Sequence, residues 1–191
     1  MPSAGFDQGL EVLLDREKIS QRVRELARQI SSDYQASAPH LIGLLKGAWV
    51  FLADLIRHLD REVTVDFLGI SSYGSNTQSS GEVKITKDLD ESIEGRSVLI
   101  IEDILDTGQT FSYLQGVLAQ RKPESMRLAT LLDKPRRRIK PIKPDYVGFE
   151  IPDVFVVGYG LDYAQKYRQL PDVCFLRRGP DDVNALPALK L

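Results

Sequence analysis

The sequence predicts an α/β fold in which helices flank a mainly parallel, twisted sheet. Short apolar runs typical of buried strands alternate along the chain with segments whose apolar residues recur at helical spacing. Polar or glycine-containing turns follow several of the strands, at the sheet edge where open parallel sheets gather their ligands. The 191 residues are 42% hydrophobic and contain no Pro/Gly/Ser-rich linker, which predicts a single domain spanning residues 1–191.

The first part of the chain predicts two helices separated by a strand. Apolar residues fall at helical intervals among charged ones over residues 16–34, and Asp15 is placed to cap this helix. The nearly apolar run His40–Leu45 predicts a buried strand. Lys46-Gly47 is the tight turn that leads into a second helix over residues 48–59.

The remaining elements continue the alternation. A third helix is predicted after Thr110, because Phe111, Leu114 and Leu118 lie at helical spacing. Further strands are predicted at residues 63–71, 97–101, 126–132, 146–150, 155–158 and 173–176. No internal repeat is present in the sequence.

Composition excludes several classes of function. The net charge of −2 provides no general attraction to nucleic acid or to an anionic membrane. Cys174 is the single cysteine, so neither an intrachain disulfide nor a thiolate zinc cluster can form. The first ten residues lack the features of a secretory signal, and no stretch of about 18 apolar residues occurs. The sequence therefore predicts a cytoplasmic protein.

Residues 98–110 carry the most chemical information. An apolar strand runs into the carboxylates Glu102, Asp103 and Asp106, which a packed core excludes unless they are paired or belong to a site. The run Thr107-Gly108-Gln109-Thr110 then supplies hydroxyl groups, a glycine and the start of a helix, a combination suited to binding phosphate. The adjacent acids favour sugar hydroxyls or a magnesium ion, so the predicted ligand contains both phosphate and sugar.

This run resembles the fingerprint of the phosphoribosyltransferases. The resemblance implies that Glu102 and Asp103 hold the ribose hydroxyls of phosphoribosyl pyrophosphate, while residues 106–110 bind its 5′-phosphate. It also implies the type I phosphoribosyltransferase fold, in which a small hood covers the carboxyl ends of the strands. The alternative for these residues is an ordinary buried strand followed by a helix that Asp106 or Thr107 caps.

Two more segments, residues 132–135 and 147–163, are similar to the purine pocket of the hypoxanthine-guanine members of that family. The resemblance implies that Lys134 donates a hydrogen bond to the 6-oxo group of the purine. It also implies that Phe155 stacks on the base, that the main chains of Val154 and Val156 read its edge, and that Asp162 binds magnesium. From the residues alone, a solvated Lys134 and a Phe155 in the core are the alternatives.

Three further positions match this family. Lys46-Gly47 corresponds to its pyrophosphate loop, where an unusual cis peptide is expected, and Arg168 corresponds to an arginine that contacts pyrophosphate. Ser72-Tyr73 matches a mobile loop that closes over the reacting centre. Residues 71–81 are entirely polar, glycine or tyrosine, and such a composition is typical of either a passive linker or a lid.

The resemblance implies a magnesium-dependent transferase of purine salvage that forms IMP or GMP. Glu102, Asp103 and Asp162 are the implied Mg²⁺ ligands, and Asp106 is the implied general base that accepts the N7 proton as N9 attacks. The implied partners are the 6-oxopurine base, phosphoribosyl pyrophosphate and further copies of the chain in a homodimer or homotetramer.

Two other functions stay open at this point. One is a regulator on the same fold that senses phosphoribosyl pyrophosphate and binds nucleic acid through the basic residues 136–140. The other is an enzyme that prefers xanthine. The run Arg136-Arg137-Arg138 is interpreted most simply as a solvated surface segment, and retained Asp106 favours an enzyme over the regulator.

Overall fold

The computed structural model describes residues 9–72 and 83–176. Within these ranges no helix is long and apolar enough to cross a membrane. The elements in chain order are β1 (Leu10–Leu14), α1 (Arg16–Asp33), β2 (His40–Leu45), α2 (Trp49–Ile56), β3 (Thr64–Ser72), β4 (Val83–Lys87), β5 (Ser97–Leu105), α3 (Gln109–Ala119), β6 (Ser125–Asp133), a short 3₁₀ turn (Pro135–Arg137), β7 (Tyr146–Glu150), β8 (Val156–Val157) and β9 (Val173–Leu176).

A six-stranded sheet forms the centre of the molecule, in the order β4-β3-β2-β5-β6-β7. All neighbouring pairs are parallel except β3 and β4. The predicted α/β fold class with a mainly parallel sheet is therefore confirmed. Because the strands are parallel, the turns that follow β2, β5 and β6 lie along one edge of the sheet.

Helices cover both faces of this sheet. Helices α1 and α2 pack on one face and α3 on the other, so the structure has two hydrophobic clusters. Successive residues of β5 alternate between them: Leu99 and Ile101 join the first cluster, whereas Val98 and Ile100 join the second. A strand buried on both faces needs a nearly continuous apolar run, which explains its sequence.

A second, smaller sheet forms the hood. It consists of β1, β9 and β8 in that order, with both pairs antiparallel. Strand β1 was not predicted, because its five residues show no clean alternation, and β8 is shorter than the strand predicted over residues 155–158. Phe155 lies outside the strand and is 40% exposed, which contradicts the alternative of a core phenylalanine.

Several predicted boundaries differ from the structure. The side chain of Asp15 accepts a hydrogen bond from the Lys18 amide at 2.8 Å and caps α1, as predicted. Strand β5 continues four residues beyond the predicted end at Ile101, because its parallel pairing with β6 extends to Leu105. Helix α2 is shorter than predicted, and the edge strand β4 was not predicted.

Candidate functional site

The loops at the carboxyl edge of the sheet and the hood enclose a cavity of about 530 Å³. The cavity is rich in acids and combines residues of β5, the turn after β6 and the hood. Its lining consists of Asp103, Ile104, Asp106, Lys134, Arg137, Asp153, Phe155, Val156, Leu161 and Asp162. The cavity thus brings together six of the residues that the sequence assigned to the site, namely Asp103, Asp106, Lys134, Phe155, Val156 and Asp162.

The predicted pyrophosphate loop lies between the acids of β5 and the hood. A cis peptide bond joins Leu45 to Lys46. A Cβ atom at Gly47 would collide with the carboxylate of Asp103, and one at Gly160 would collide with the carbonyl oxygen of Gly47. Both positions need glycine because the backbone of this loop packs so closely against its neighbours.

Glu102 is buried, and Asp103 beside it is half-buried in the wall of the cavity. Burial, together with the neighbouring Asp103 carboxylate, raises the pKa of Glu102 to about 8. Burial also raises the pKa of Asp103 to about 6, against opposing backbone hydrogen bonds. The Oε2 atom of Glu102 is buried and has no hydrogen-bond partner among the described residues. This atom needs a donor or a cation that the described protein does not supply.

The loop before α3 leaves the start of that helix open. Gly108 is the N-cap residue, with a φ of 78°, and as a glycine it provides no capping side chain. Neither Asp106 nor Thr107 is therefore the N-cap residue. The Thr107 hydroxyl nevertheless accepts a hydrogen bond of 3.4 Å from the amide of Gln109, the first residue of α3. Exposed amides at a helix start favour the binding of a phosphate group.

Lys134 and Phe155 both line the cavity. The Lys134 ammonium is buried and donates to the carbonyl oxygen of Val154 at 2.8 Å. Burial lowers the pKa of Lys134, although the nearby carboxylates of Asp106 and Asp153 oppose this change. The alternative of a solvated lysine is therefore wrong. The Phe155 ring meets the edge of Tyr163, with 5.6 Å between the ring centroids.

Asp162 is already engaged by its neighbours. Its Oδ1 atom lies 2.6 Å from the guanidinium of Arg168, and its Oδ2 accepts from the Gln165 amide at 2.7 Å. Arg168 also donates to the carbonyl oxygen of Gly160 at 2.7 Å and lines a second, larger cavity of about 910 Å³. The Lys46 ammonium donates to the side-chain oxygen of Gln165, at 3.5 Å.

The larger cavity is a poorer candidate for the chemistry. Its lining contains Trp49, Leu170 and Pro171 beside scattered charges, without the buried acids of β5. Across residues 9–72 and 83–176, no three side chains of His, Cys, Asp or Glu are arranged to hold a metal ion by themselves. Any divalent cation at the smaller cavity would therefore need oxygen atoms from water or a ligand as well.

Two arginines at this site form ion pairs that were not predicted from the sequence. Arg137 contacts Asp106 and Asp153, and Arg138 pairs with Asp133. The interpretation of Arg136-Arg137-Arg138 as a solvated run is therefore wrong for Arg138, whose side chain is 12% exposed, whereas Arg137 is exposed but paired with acids. The signal was their position directly after β6, where the 3₁₀ turn folds them back over the sheet edge. Because both arginines pair with acids, residues 136–140 offer less free positive charge to nucleic acid than the sequence suggested.

The predicted lid falls mostly outside the described part of the chain. Ser72 ends β3 at the carboxyl edge of the sheet, whereas Tyr73 lies outside the described residues.

Comparison with known proteins identifies the relatives of this chain. Residues 9–164 match the family model of the phosphoribosyl transferase domain. The chain is 55% identical over 167 residues to the hypoxanthine-guanine phosphoribosyltransferase of Bacillus subtilis (strain 168), covering 87% of this chain and 93% of that protein. A hypoxanthine phosphoribosyltransferase structure from Staphylococcus aureus superposes with a TM-score of 0.88 at 46% identity, covering 96% of this chain and 98% of the other. The Trypanosoma cruzi hypoxanthine phosphoribosyl transferase gives a TM-score of 0.85 at 39% identity, with coverage of 96% and 97%.

Proposed function

We propose that this chain, which belongs to the phosphoribosyltransferase family and within it to the hypoxanthine-guanine phosphoribosyltransferases, makes IMP and GMP for purine salvage. It joins hypoxanthine or guanine to the ribose of phosphoribosyl pyrophosphate and releases pyrophosphate. The observation that carries the proposal is a set of three features at the carboxyl edge of the sheet. They are the buried Glu102 beside Asp103, a helix start whose N-cap residue is a glycine, and a buried lysine that lines the same cavity as an exposed aromatic ring.

Phosphoribosyl pyrophosphate would lie along the carboxyl ends of β5 and β2. The amides and hydroxyls of Thr107-Gly108-Gln109-Thr110 suit its 5′-phosphate, because they lie at the start of α3, where the N-cap residue is a glycine. Glu102 and Asp103 suit the ribose hydroxyls, which would donate to carboxylate oxygens such as Oε2 of Glu102, an atom that has no partner among the described residues. This assignment explains why the protein keeps the carboxylate of Glu102 buried beside that of Asp103.

The donor set at this edge also fits Mg²⁺. The ion prefers oxygen ligands, keeps several waters and shares substrate phosphates, so one or two carboxylates suffice. The orphaned Oε2 of Glu102 and the raised pKa of Asp103 mark acids that a cation would stabilise, and Asp162 completes the proposed set. Mg²⁺ would neutralise charge on the departing pyrophosphate. Asp162 would share its oxygens with Arg168, which already pairs with it.

The base would stack on Phe155 and be read by Lys134. An ammonium only donates hydrogen bonds. It can therefore donate to a 6-oxo group, whereas the 6-amino group of adenine would present a second donor to it. Its contact with the Val154 carbonyl holds the ammonium at the base side of the cavity. The main chains of Val154 and Val156, beside it in the hood, would contact the edge of the ring.

Asp106 is the proposed general base. It lines the cavity beside Lys134, where it can accept the N7 proton as N9 attacks the ribose. Lys46-Gly47 and Arg168 would bind the leaving pyrophosphate from the other side of Asp103. Ser72 and Tyr73 would close over the centre and exclude water, which would otherwise trap the developing ribosyl cation.

The proposal extends to location and assembly. We expect a cytoplasmic homodimer or homotetramer, and light scattering after gel filtration measures the number of copies directly.

The decisive experiment is a transfer assay with phosphoribosyl pyrophosphate and Mg²⁺. Hypoxanthine, guanine, xanthine, adenine and uracil are offered separately, and Asp106→Asn is assayed beside the parent. Turnover of hypoxanthine and guanine is expected, and the variant should lose about 10²- to 10⁴-fold in kcat because the amide cannot accept the proton. No product from any base, or xanthine turned over in preference to both, would contradict the proposed function.

A further inference from the structure

The guanidinium of Arg137 bridges two parts of the candidate site. Its Nε atom lies 2.9 Å from Oδ1 of Asp106, at the end of β5, and one terminal nitrogen donates to Oδ1 of Asp153, in the hood, at 3.2 Å. Asp153 immediately precedes Val154 and Phe155, the residues assigned to the purine. The Arg137 side chain therefore links Asp106, the proposed general base, to the segment that would hold the purine ring.

The contact with Asp106 is made at a particular oxygen. Oδ1 of Asp106 is shielded from solvent and accepts no aligned hydrogen bond among the described residues. The close approach of the Arg137 Nε is thus its compensating charge contact. The exposed part of this carboxylate lies elsewhere, which leaves Oδ2 as the oxygen that can face a ligand in the cavity.

We propose that Arg137 is a positioning residue of the transfer reaction: it holds Asp106 through Oδ1, so that Oδ2 meets N7 of a purine placed by the segment of residues 153–156. This inference rests on the proposed function. A carboxylate held at one oxygen cannot rotate freely, and a proton acceptor must lie within hydrogen-bond distance of its proton. The Asp153 end of the bridge keeps the same register between the hood and the sheet edge.

We expect the contacts of Arg137 with Asp106 and Asp153 to affect the rate of the reaction and not the stability of the fold. All three side chains are partly exposed, and ion pairs in such positions contribute little to stability. Arg136 provides a matched control, because it carries the same charge on the same 3₁₀ turn and its side chain is exposed. Loss of Arg137 should therefore change turnover without changing thermal stability.

The first test compares Arg137→Gln, Arg137→Lys and Arg136→Gln with the parent, using hypoxanthine and phosphoribosyl pyrophosphate. Arg137→Gln should lower kcat by about 10- to 100-fold, a part of the general-base contribution, while KM for phosphoribosyl pyrophosphate changes by less than about twofold. Arg137→Lys should restore some of the loss, and Arg136→Gln should match the parent. Equal kcat values for Arg137→Gln and Arg136→Gln would overturn the inference.

The second test asks whether Arg137 acts through Asp106. In an Asp106→Asn background, Arg137→Gln should cost less than about twofold more in kcat, because residues that act as a unit are not additive. Losses that multiply would show that Arg137 works independently and would overturn the inference. An inactive parent would instead contradict the proposed function, so the two failures are distinguishable.

Discussion

Two buried carboxylates of the central sheet, Asp66 and Glu102, differ in their hydrogen-bond donors and in the direction of their pKa shifts. They are almost equally buried, at 6% and 8% exposure. Although burial opposes it, hydrogen bonds from the amides of Phe67 and Asp90 and from the Lys87 ammonium lower the pKa of Asp66. Glu102 has no such set of donors, and its pKa is raised to about 8.

The contrast separates a structural acid from a ligand-binding one. Asp66 is satisfied within the chain and fastens β3 to the segment after β4, so its charge stabilises the fold. Glu102 stands at the carboxyl edge of β5 with an oxygen that has no described partner, which costs stability until a ligand arrives. Equal burial therefore has opposite consequences, and the supply of donors decides between them.

The strongest test of the contrast is Asp66→Ala. Removing this carboxylate leaves two buried amides and Lys87 without their acceptor, so the free energy of unfolding should fall by about 2–4 kcal/mol. Denaturant unfolding of the ligand-free protein measures it, with the exposed Asp60→Ala as control. A loss no greater than that of Asp60→Ala would show that Asp66 is not a structural acid.

Gly47→Ala tests the close packing around the acids of β5. The added Cβ would collide with the Asp103 carboxylate, so the loop must shift. We expect kcat/KM for phosphoribosyl pyrophosphate to fall by about 10- to 100-fold, because small misplacements at a reacting site are costly. Gly116→Ala is the control, since its Cβ meets nothing within 4 Å. Parent-like kinetics for Gly47→Ala would contradict the packing argument.

Glu102→Gln should raise the free energy of unfolding of the ligand-free protein relative to the parent as pH rises, whereas Asp66→Ala should lower it. A group whose pKa rises on folding stabilises most below its unfolded value of 4.5, and this contribution is lost as pH rises toward 8. The parent should therefore lose about 1–2 kcal/mol of stability between pH 5 and pH 8 that Glu102→Gln retains. Urea unfolding across this range measures the slope.

The exposed Glu94→Gln variant should keep the slope of the parent, because its carboxylate has solvent around it in both states. Identical slopes for the parent and for Glu102→Gln would show that Glu102 is satisfied in the ligand-free protein.

The smallest effect is expected at the opposite end of the sheet. His40 begins β2, and burial lowers its pKa while its Nδ1 contacts the Thr64 hydroxyl at 2.8 Å. The unfolded chain takes up a proton as pH falls below about 6.5 and the folded protein resists, so stability falls by about 0.5–1 kcal/mol. His40→Gln should remove this loss, and the exposed His58→Gln should not. Equal slopes in the two variants would argue against a buried, neutral His40.

Much of the fold was predictable because it depends on local sequence. Strands β2, β7 and β9 begin and end where their apolar runs predict, and Asp15 caps α1 as its position before the helix suggests. The short edge strands β1 and β4 were missed, since their pairing partners lie far away in the chain and their own patterns are weak. The extension of β5 to Leu105 likewise depends on its pairing with β6.

The candidate site also has a part that local sequence predicts and a part that depends on contacts between distant residues. The order of residue types along the chain is enough to identify the acids of β5, the helix-opening loop and the lysine after β6, because each group is contiguous in sequence. It does not reveal that Arg137 joins Asp106 to Asp153, or that Arg168 engages Asp162. Electrostatic pairing and burial depend on distances in space between residues that the sequence separates, so the charge balance of the site is settled only when the chain has folded.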